Sequence, residues 1–255
     1  MTTDPAVPKP VTPEREMPEQ VVPGQVPEPV AQSRAARLLL LVFVLVALVD
    51  LVAVLAHWPT AHTVAKPLLM PLLAAHAYAR GAPRPLLAAL LFGWGGDTLL
   101  LIDADPAFLA GMASFAAGHL CYLVLFGRRR TPPGRGSARR TGPAVAYAVA
   151  LGCAIAVLWP GLPAGLRVPV AGYSLLLTAM AYRAGGLGRY AALGGALFLV
   201  SDTLIATGIA SLPQLPAPDF WVMATYLAAQ CLLVTGVLRC GAAPPSAYRD
   251  SRTSV

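Results

Sequence analysis

Charge is what this 255-residue sequence has least of: Asp, Glu, Lys and Arg together make up only 12% of it. That is about half the share of an ordinary soluble domain. With 56% hydrophobic residues and a mean hydropathy of +0.63, the chain has too little polar surface to enclose its apolar runs as a soluble bundle. Cysteine patterns are missing too. Cys121, Cys153, Cys231 and Cys240 form no Cys-x-x-Cys pair and no His/Cys cluster with metal spacing, which excludes a disulfide framework and a zinc site. They read as small apolar packing residues. No basic stretch is interleaved with aromatics, so the net charge of +7 does not point to nucleic acid. Hydrolase signatures are also lacking: there is no Gly-x-Ser-x-Gly elbow, no His-Glu-x-x-His, and no Ser, His and Asp set as a triad.

What the sequence does have is a series of apolar runs long enough to cross a hydrocarbon core. They predict an all-α, polytopic membrane protein with eight spans, near 37–57, 63–80, 85–102, 106–126, 142–160, 166–183, 189–210 and 219–239. The second is short between Lys66 and Arg80 and carries Pro67 and Pro71, placed near its start, where proline is cheap. Before the first span, residues 1–33 are crowded with proline and read as a disordered tail. Residues 34–240 form the membrane domain and 241–255 a second tail. The first run, Leu38 to Ala56, is too long for a signal peptide.

The arginines set the orientation. With the N-terminus inside, 17 of the 19 basic residues fall on the cytoplasmic side, leaving only Lys66 and Arg167 outside. Adding or dropping one span would scramble that alternation. The expectation is a multi-pass protein of the cell membrane with both termini cytoplasmic.

Two aspartates lie at corresponding places in an internal repeat. Gly96-Asp97-Thr98-Leu99 in the third span matches Ser201-Asp202-Thr203-Leu204 in the seventh, 105 positions on. His76-Ala77-Tyr78 echoes Met180-Ala181-Tyr182, and Ala116-Ala117-Gly118-His119-Leu120 echoes Ala228-Ala229-Gln230-Cys231-Leu232. A 4+4 parallel repeat would relate the halves by a pseudo-twofold axis along the membrane normal. Asp97 and Asp202 would then approach each other near that axis.

An ionised carboxylate in a span costs several kcal/mol unless paired, hydrated or neutralised. Asp97 and Asp202 lie roughly 8 to 12 Å below the outer boundary at ~1.5 Å per residue. Asp50 has a similar depth. Two readings follow: an Asp–Lys or Asp–His pair that ties helices, or a functional site. Phe108, Gly111, Phe115, His119 and Tyr122 share one face of the fourth helix. Gly194, Phe198 and Asp202 share a face of the seventh, as do Tyr226 and Gln230 of the eighth. The glycines and aromatics on these faces read as packing. His57, His62 and His76 read as structural, with the first two in an outer loop.

These residues resemble the YhhN family of lysoplasmalogenase-like membrane proteins. The resemblance rests on Lys66-Pro67, Gly96-Asp97, Phe108-x2-Gly111-x3-Phe115-x2-Gly118-His119-x2-Tyr122, Ser201-Asp202 and Tyr226-x3-Gln230, over about residues 37–240. The Pro-rich tail is outside the family pattern. The resemblance implies hydrolysis of the vinyl ether bond of a lysophospholipid, giving a fatty aldehyde and a glycerophospho-base. That chemistry suits two carboxyls: one protonates carbon, the other stabilises the cation and activates water. Asp97 and Asp202 are the expected catalytic pair, either in either role. His119, Tyr122, Ser201, Tyr226 and Gln230 are expected to position substrate and water, and Lys66 to meet the lipid phosphate. No metal or cofactor is expected. The alternative is a proton-coupled transporter, for which paired acids at membrane depth would also serve.

Overall fold

The computed structural model describes residues 29–128 and 137–242. Most of both expected tails, and Arg129, Arg130 and Arg135 of the arginine-rich loop, lie outside the described residues. The described chain is all-α. Its eight helices are α1 (Pro29–Leu55), α2 (Pro59–Ala79), α3 (Arg84–Leu99), α4 (Asp105–Arg128), α5 (Ser137–Leu158), α6 (Ala164–Ala184), α7 (Arg189–Ile209) and α8 (Pro218–Ala242). Six of them, all but α2 and α3, are long and apolar enough to cross a membrane. α3 has 16 residues, about 24 Å of rise, and α2 is diluted by its polar first turns.

Proline and glycine mark the boundaries. Prolines open α2 and α3, where a missing N–H costs nothing. A 3-10 turn, Gly185–Leu187, joins α6 to α7 through Gly188 at φ 106° and ψ 179°, a conformation essentially reserved for glycine. α2 begins at Pro59, four residues earlier than the sequence pattern predicts. Pro67 and Pro71 therefore stand in the helix interior, and His62 belongs to the helix rather than to the loop expected for it.

Connections of a few residues make successive helices antiparallel neighbours from α1 to α4 and from α5 to α8, whereas α4 packs on α6 rather than on α5. One end of the bundle collects the arginines: Arg239 and Arg189 both hydrogen-bond the Tyr190 hydroxyl, at 3.2 Å each. The other end is arginine-poor. The packing is closest between α1 and α2, α3 and α4, and α7 and α8, with α8 deeply buried. α5 is the outlier. It rests on α6 and lightly on α7, most of its surface is exposed, and it has no counterpart to the close α1–α2 contact.

Small residues allow these close pairs, as expected where lipid gives no hydrophobic drive to helix association. A Cβ on Gly118 would lie 3.1 Å from the Ala89 carbonyl, joining α4 to α3. One on Gly194 would lie 2.9 Å from both the Ala229 carbonyl and the Leu233 amide, joining α7 to α8. Backbone cannot yield as a side chain can. Gly194→Ala is therefore expected to cost about 1–3 kcal/mol, read as a lowered melting temperature in detergent. An unchanged melting temperature would show the α7–α8 contact to be looser than described.

The main core runs through every helix except α5, from Phe43 on α1 to Leu233 on α8. A second apolar cluster of Leu158, Leu162, Val170, Ala206 and Ala210 lies at the arginine-poor end, between α5, α6 and α7. It forms the wall of a cavity.

Candidate active site

Asp97 sits on α3 two turns above Leu90 of the core and is 3% exposed. Its Oδ2 accepts a hydrogen bond of 2.7 Å from the Tyr226 hydroxyl of α8. Tyr226 in turn accepts from Gln230 Nε2 at 3.3 Å, and Gln230 Oε1 accepts from the Tyr122 hydroxyl of α4 at 2.7 Å. Donors thus run in one direction, Tyr122 to Gln230 to Tyr226 to Asp97, and end on the carboxyl. Chains of this kind polarise one another and hold each member in place.

Asp202 ends a second chain. The Tyr173 hydroxyl of α6 donates to Asp202 Oδ2. His119 Nε2 lies 3.1 Å from the same hydroxyl. Since Tyr173 donates to the carboxyl, its oxygen accepts from His119 Nε2–H, which assigns the tautomer. His119 Nδ1 is then a buried acceptor without a partner among the described residues. Phe198 lies between the two chains, its ring centroid 4.8 Å from His119 and 5.4 Å from Tyr226, both edge-on. Phe115 packs edge-on to Tyr226 at 6.0 Å. The two carboxyls do not hydrogen-bond each other, but they lie within Coulombic reach.

The surroundings of the two acids differ. Asp202 lines a cavity of about 350 Å³ between α4, α5, α6 and α7. Its walls are apolar except for Asp202, Tyr173, Ser174, Thr178 and Thr203. The Thr178 hydroxyl is buried there without a partner among the described residues. Asp97 does not line the cavity; the Phe198 ring packs between His119 and Tyr226, the tyrosine that holds Asp97. A seam too narrow for water is lined by Gly93, Gly118, His119, Tyr122, Phe198 and Gln230 among others.

Asp97 faces another polar group instead. Lys66, Asp50 and His62 of α1 and α2 are all within Coulombic reach of it. Asp50 is fully buried, with Oδ1 2.9 Å from His62 Nδ1 and Oδ2 unpartnered among the described residues. Asp50 thus ties α1 to α2, whereas Asp202 opens on a cavity. His76 is structural, its Nδ1 donating to the Ala36 carbonyl at 2.8 Å.

Six of the eight expected site residues meet in the two chains: Asp97, Asp202, His119, Tyr122, Tyr226 and Gln230. Two do not. Ser201 donates to the Val222 carbonyl at 3.0 Å, a tie between α7 and α8. Lys66 lies on the Asp97 side and does not line the cavity. Tyr173 is the residue the sequence pattern did not single out. Its signal was present: one polar ring in an apolar run, on the α6 face shared with Val170 and Leu177. Among the described residues, no three His, Cys, Asp or Glu side chains gather as a metal site would need.

The Tyr226 chain yields a stability expectation. Tyr226→Phe removes the donor to Asp97 and leaves Gln230 Nε2 buried without an acceptor, at a cost of about 1–3 kcal/mol. Thermal unfolding in detergent should show it; a variant as stable as the parent would mean that water replaces the hydroxyl.

The sequence profile of the YhhN family matches residues 61–237, a stretch containing every member of both hydrogen-bonded chains. The chain belongs to the YhhN family. This YhhN protein is 34% identical over 159 residues to the human lysoplasmalogenase TMEM86B, covering 62% of the chain and 66% of that protein. It is 33% identical over 174 residues to the rat lysoplasmalogenase TMEM86B, covering 61% and 71%. With the lysoplasmalogenase of Mycobacterium tuberculosis it shares 35% identity over 178 residues, covering 65% and 66%. The chain thus spans just under two thirds of the human and mycobacterial relatives. No solved structure matches it. Together with its apolar helices, these relationships make it a multi-pass membrane protein.

Proposed function

We propose that this YhhN protein hydrolyses the vinyl ether bond of lysoplasmalogens, releasing a fatty aldehyde and a glycerophospho-base. The observation that carries the reading is Asp202: a carboxyl held by a tyrosine at the side of an apolar cavity, with a second carboxyl within Coulombic reach. An alkenyl chain matches such walls, and the reaction needs an acid beside them. Curated relatives bearing the name lysoplasmalogenase support the choice of substrate.

A vinyl ether is cleaved by protonating the carbon β to oxygen, which leaves an oxocarbenium ion at the adjacent carbon. Asp202 faces the cavity and is assigned as the proton donor. Asp97, ionised and balanced by Lys66, stabilises the cation across the aromatic layer. The Asp202 carboxylate left by the first step takes a proton from the attacking water and is reprotonated as the hemiacetal forms. That proton passes to the glycerol oxygen as the hemiacetal collapses, while the hemiacetal hydroxyl returns one to the carboxylate. Water is consumed and the acid is regenerated. Tyr173, itself fixed by His119, aims the Asp202 carboxyl.

Helices α3 and α7 run unbroken through both aspartates, unlike the discontinuous helices of carriers with midplane sites. The eight helices all cross the bilayer in this proposal, with the arginine-rich end in the cytoplasm and the cavity mouth toward the outer leaflet of the cell membrane. Protein purified in detergent should release aldehyde from an alkenyl lysophospholipid and none from the saturated alkyl analogue. Aldehyde-free reactions, or substrate counterflow in proteoliposomes without product, would reject the assignment.

A further inference from the structure

Beside the Leu158–Val170 end of the cavity stands a cation that the catalytic reading leaves unused. Arg167 lies in the first turn of α6, and its Nε–H donates to the Leu162 carbonyl at 3.2 Å. Its guanidinium sits 5.8 Å from the centre of the Trp159 ring. These contacts hold the head group of the side chain at the arginine-poor end. They leave the two terminal nitrogens without a hydrogen bond among the described residues. Leu162 belongs to the apolar cluster whose Leu158, Val170 and Ala206 also line the cavity. The guanidinium is therefore anchored next to the cavity wall, one layer behind its lining.

We propose that Arg167 forms a headgroup subsite that binds the phosphodiester of the lysophospholipid, an inference resting on the lipid reading above. Two terminal N–H groups in a planar fork match two phosphate oxygens, a pairing a lysine cannot reproduce. The spacing agrees. Arg167 precedes Tyr173 by six residues on α6, roughly 9 Å of rise, and Tyr173 holds Asp202. In a lysoplasmalogen, five bonds separate the ether oxygen from phosphorus, an extended reach of about 6 Å at roughly 1.5 Å per bond less zigzag. Arg167 turns back to the Leu162 carbonyl ahead of the helix, and the Tyr173 side chain, tilted toward the same end, shortens the remaining gap. With phosphate at Arg167, the vinyl ether lies beside Asp202 and the chain continues toward Leu177 and Thr178. Lys66, on the opposite side of the aromatic layer, cannot hold the phosphate of a lipid lying in this cavity.

The test compares two substrates with the same alkenyl chain: a lysoplasmalogen and the phosphate-free 1-alkenylglycerol. The parent protein should prefer the first in kcat/KM. Arg167→Ala should reduce that preference by about tenfold or more, through KM rather than kcat, and Arg167→Lys should restore part of it. An unchanged ratio, as from an arginine that only anchors α6 to bulk headgroups or stabilises the fold, overturns the subsite alone. Failure of the parent protein to release aldehyde from either substrate overturns both the subsite and the activity it rests on.

Discussion

Asp202→Asn is expected to lower aldehyde release from an alkenyl lysophospholipid by about a hundredfold or more, the range seen when a positioned acid is removed. The amide is nearly isosteric and still accepts a hydrogen bond from Tyr173, so the hydrogen-bonded chain from His119 survives. What disappears is the exchangeable carboxyl proton facing the cavity. Asp97→Asn should be impaired to a similar degree, for a different reason. Its amide carries no charge to stabilise the oxocarbenium ion. The double variant should be little worse than either single one, because residues acting on one transition state are not additive. Full activity in either single variant, with folding confirmed by an unchanged melting temperature, would remove that residue from the mechanism.

The second large effect comes from closing the cavity. Ala154 of α5 lines it on the least tightly packed helix of the bundle. Ala154→Trp places an indole in a space of about 350 Å³ without deleting any buried contact. It should reduce kcat/KM by about a hundredfold, as misplaced reacting groups do, with no loss of thermal stability. If the lipid instead reached Asp97 from the α1–α2 side, this variant would be nearly as active as the parent. Lys66→Ala would then show the larger defect.

The helices were legible because the 12% charge content leaves arginines only where the spans end. Boundaries were harder where the pattern was weak. α2 starts at Pro59 because a proline that the apolar run does not include supplies its first turn, and this moved His62 from a loop onto Asp50. The Gly96-Asp97 and Ser201-Asp202 steps pointed to both acids, but only as equals. The sequence repeat contains nothing to say that one would face a cavity and the other a lysine. That difference arises from α5, which packs loosely and leaves the Asp202 side open. Tyr173 escaped notice because its partners, His119 and Asp202, are 54 and 29 residues away, and no local spacing announces such a contact. Ser201 was the opposite case: its position beside Asp202 suggested the site, yet successive residues on a helix point about 100° apart, and its hydroxyl goes to Val222.

The two hydrogen-bonded chains give the site rigidity where a loop-built site would have none. Each carboxyl is fixed by a tyrosine from a different helix, α6 for Asp202 and α8 for Asp97. In the proposed reaction, a lipid entering the cavity would meet a preset acid.

Carbon protonation is the step on which the whole account stands, and it leaves a mark in the product. Hydrolysis run in deuterium oxide, with the aldehyde trapped at once by reduction, should give a fatty alcohol carrying a single deuterium on the carbon next to the oxygen-bearing one. Mass spectrometry showing no deuterium on that carbon would contradict a carboxylic acid as the group that opens the vinyl ether.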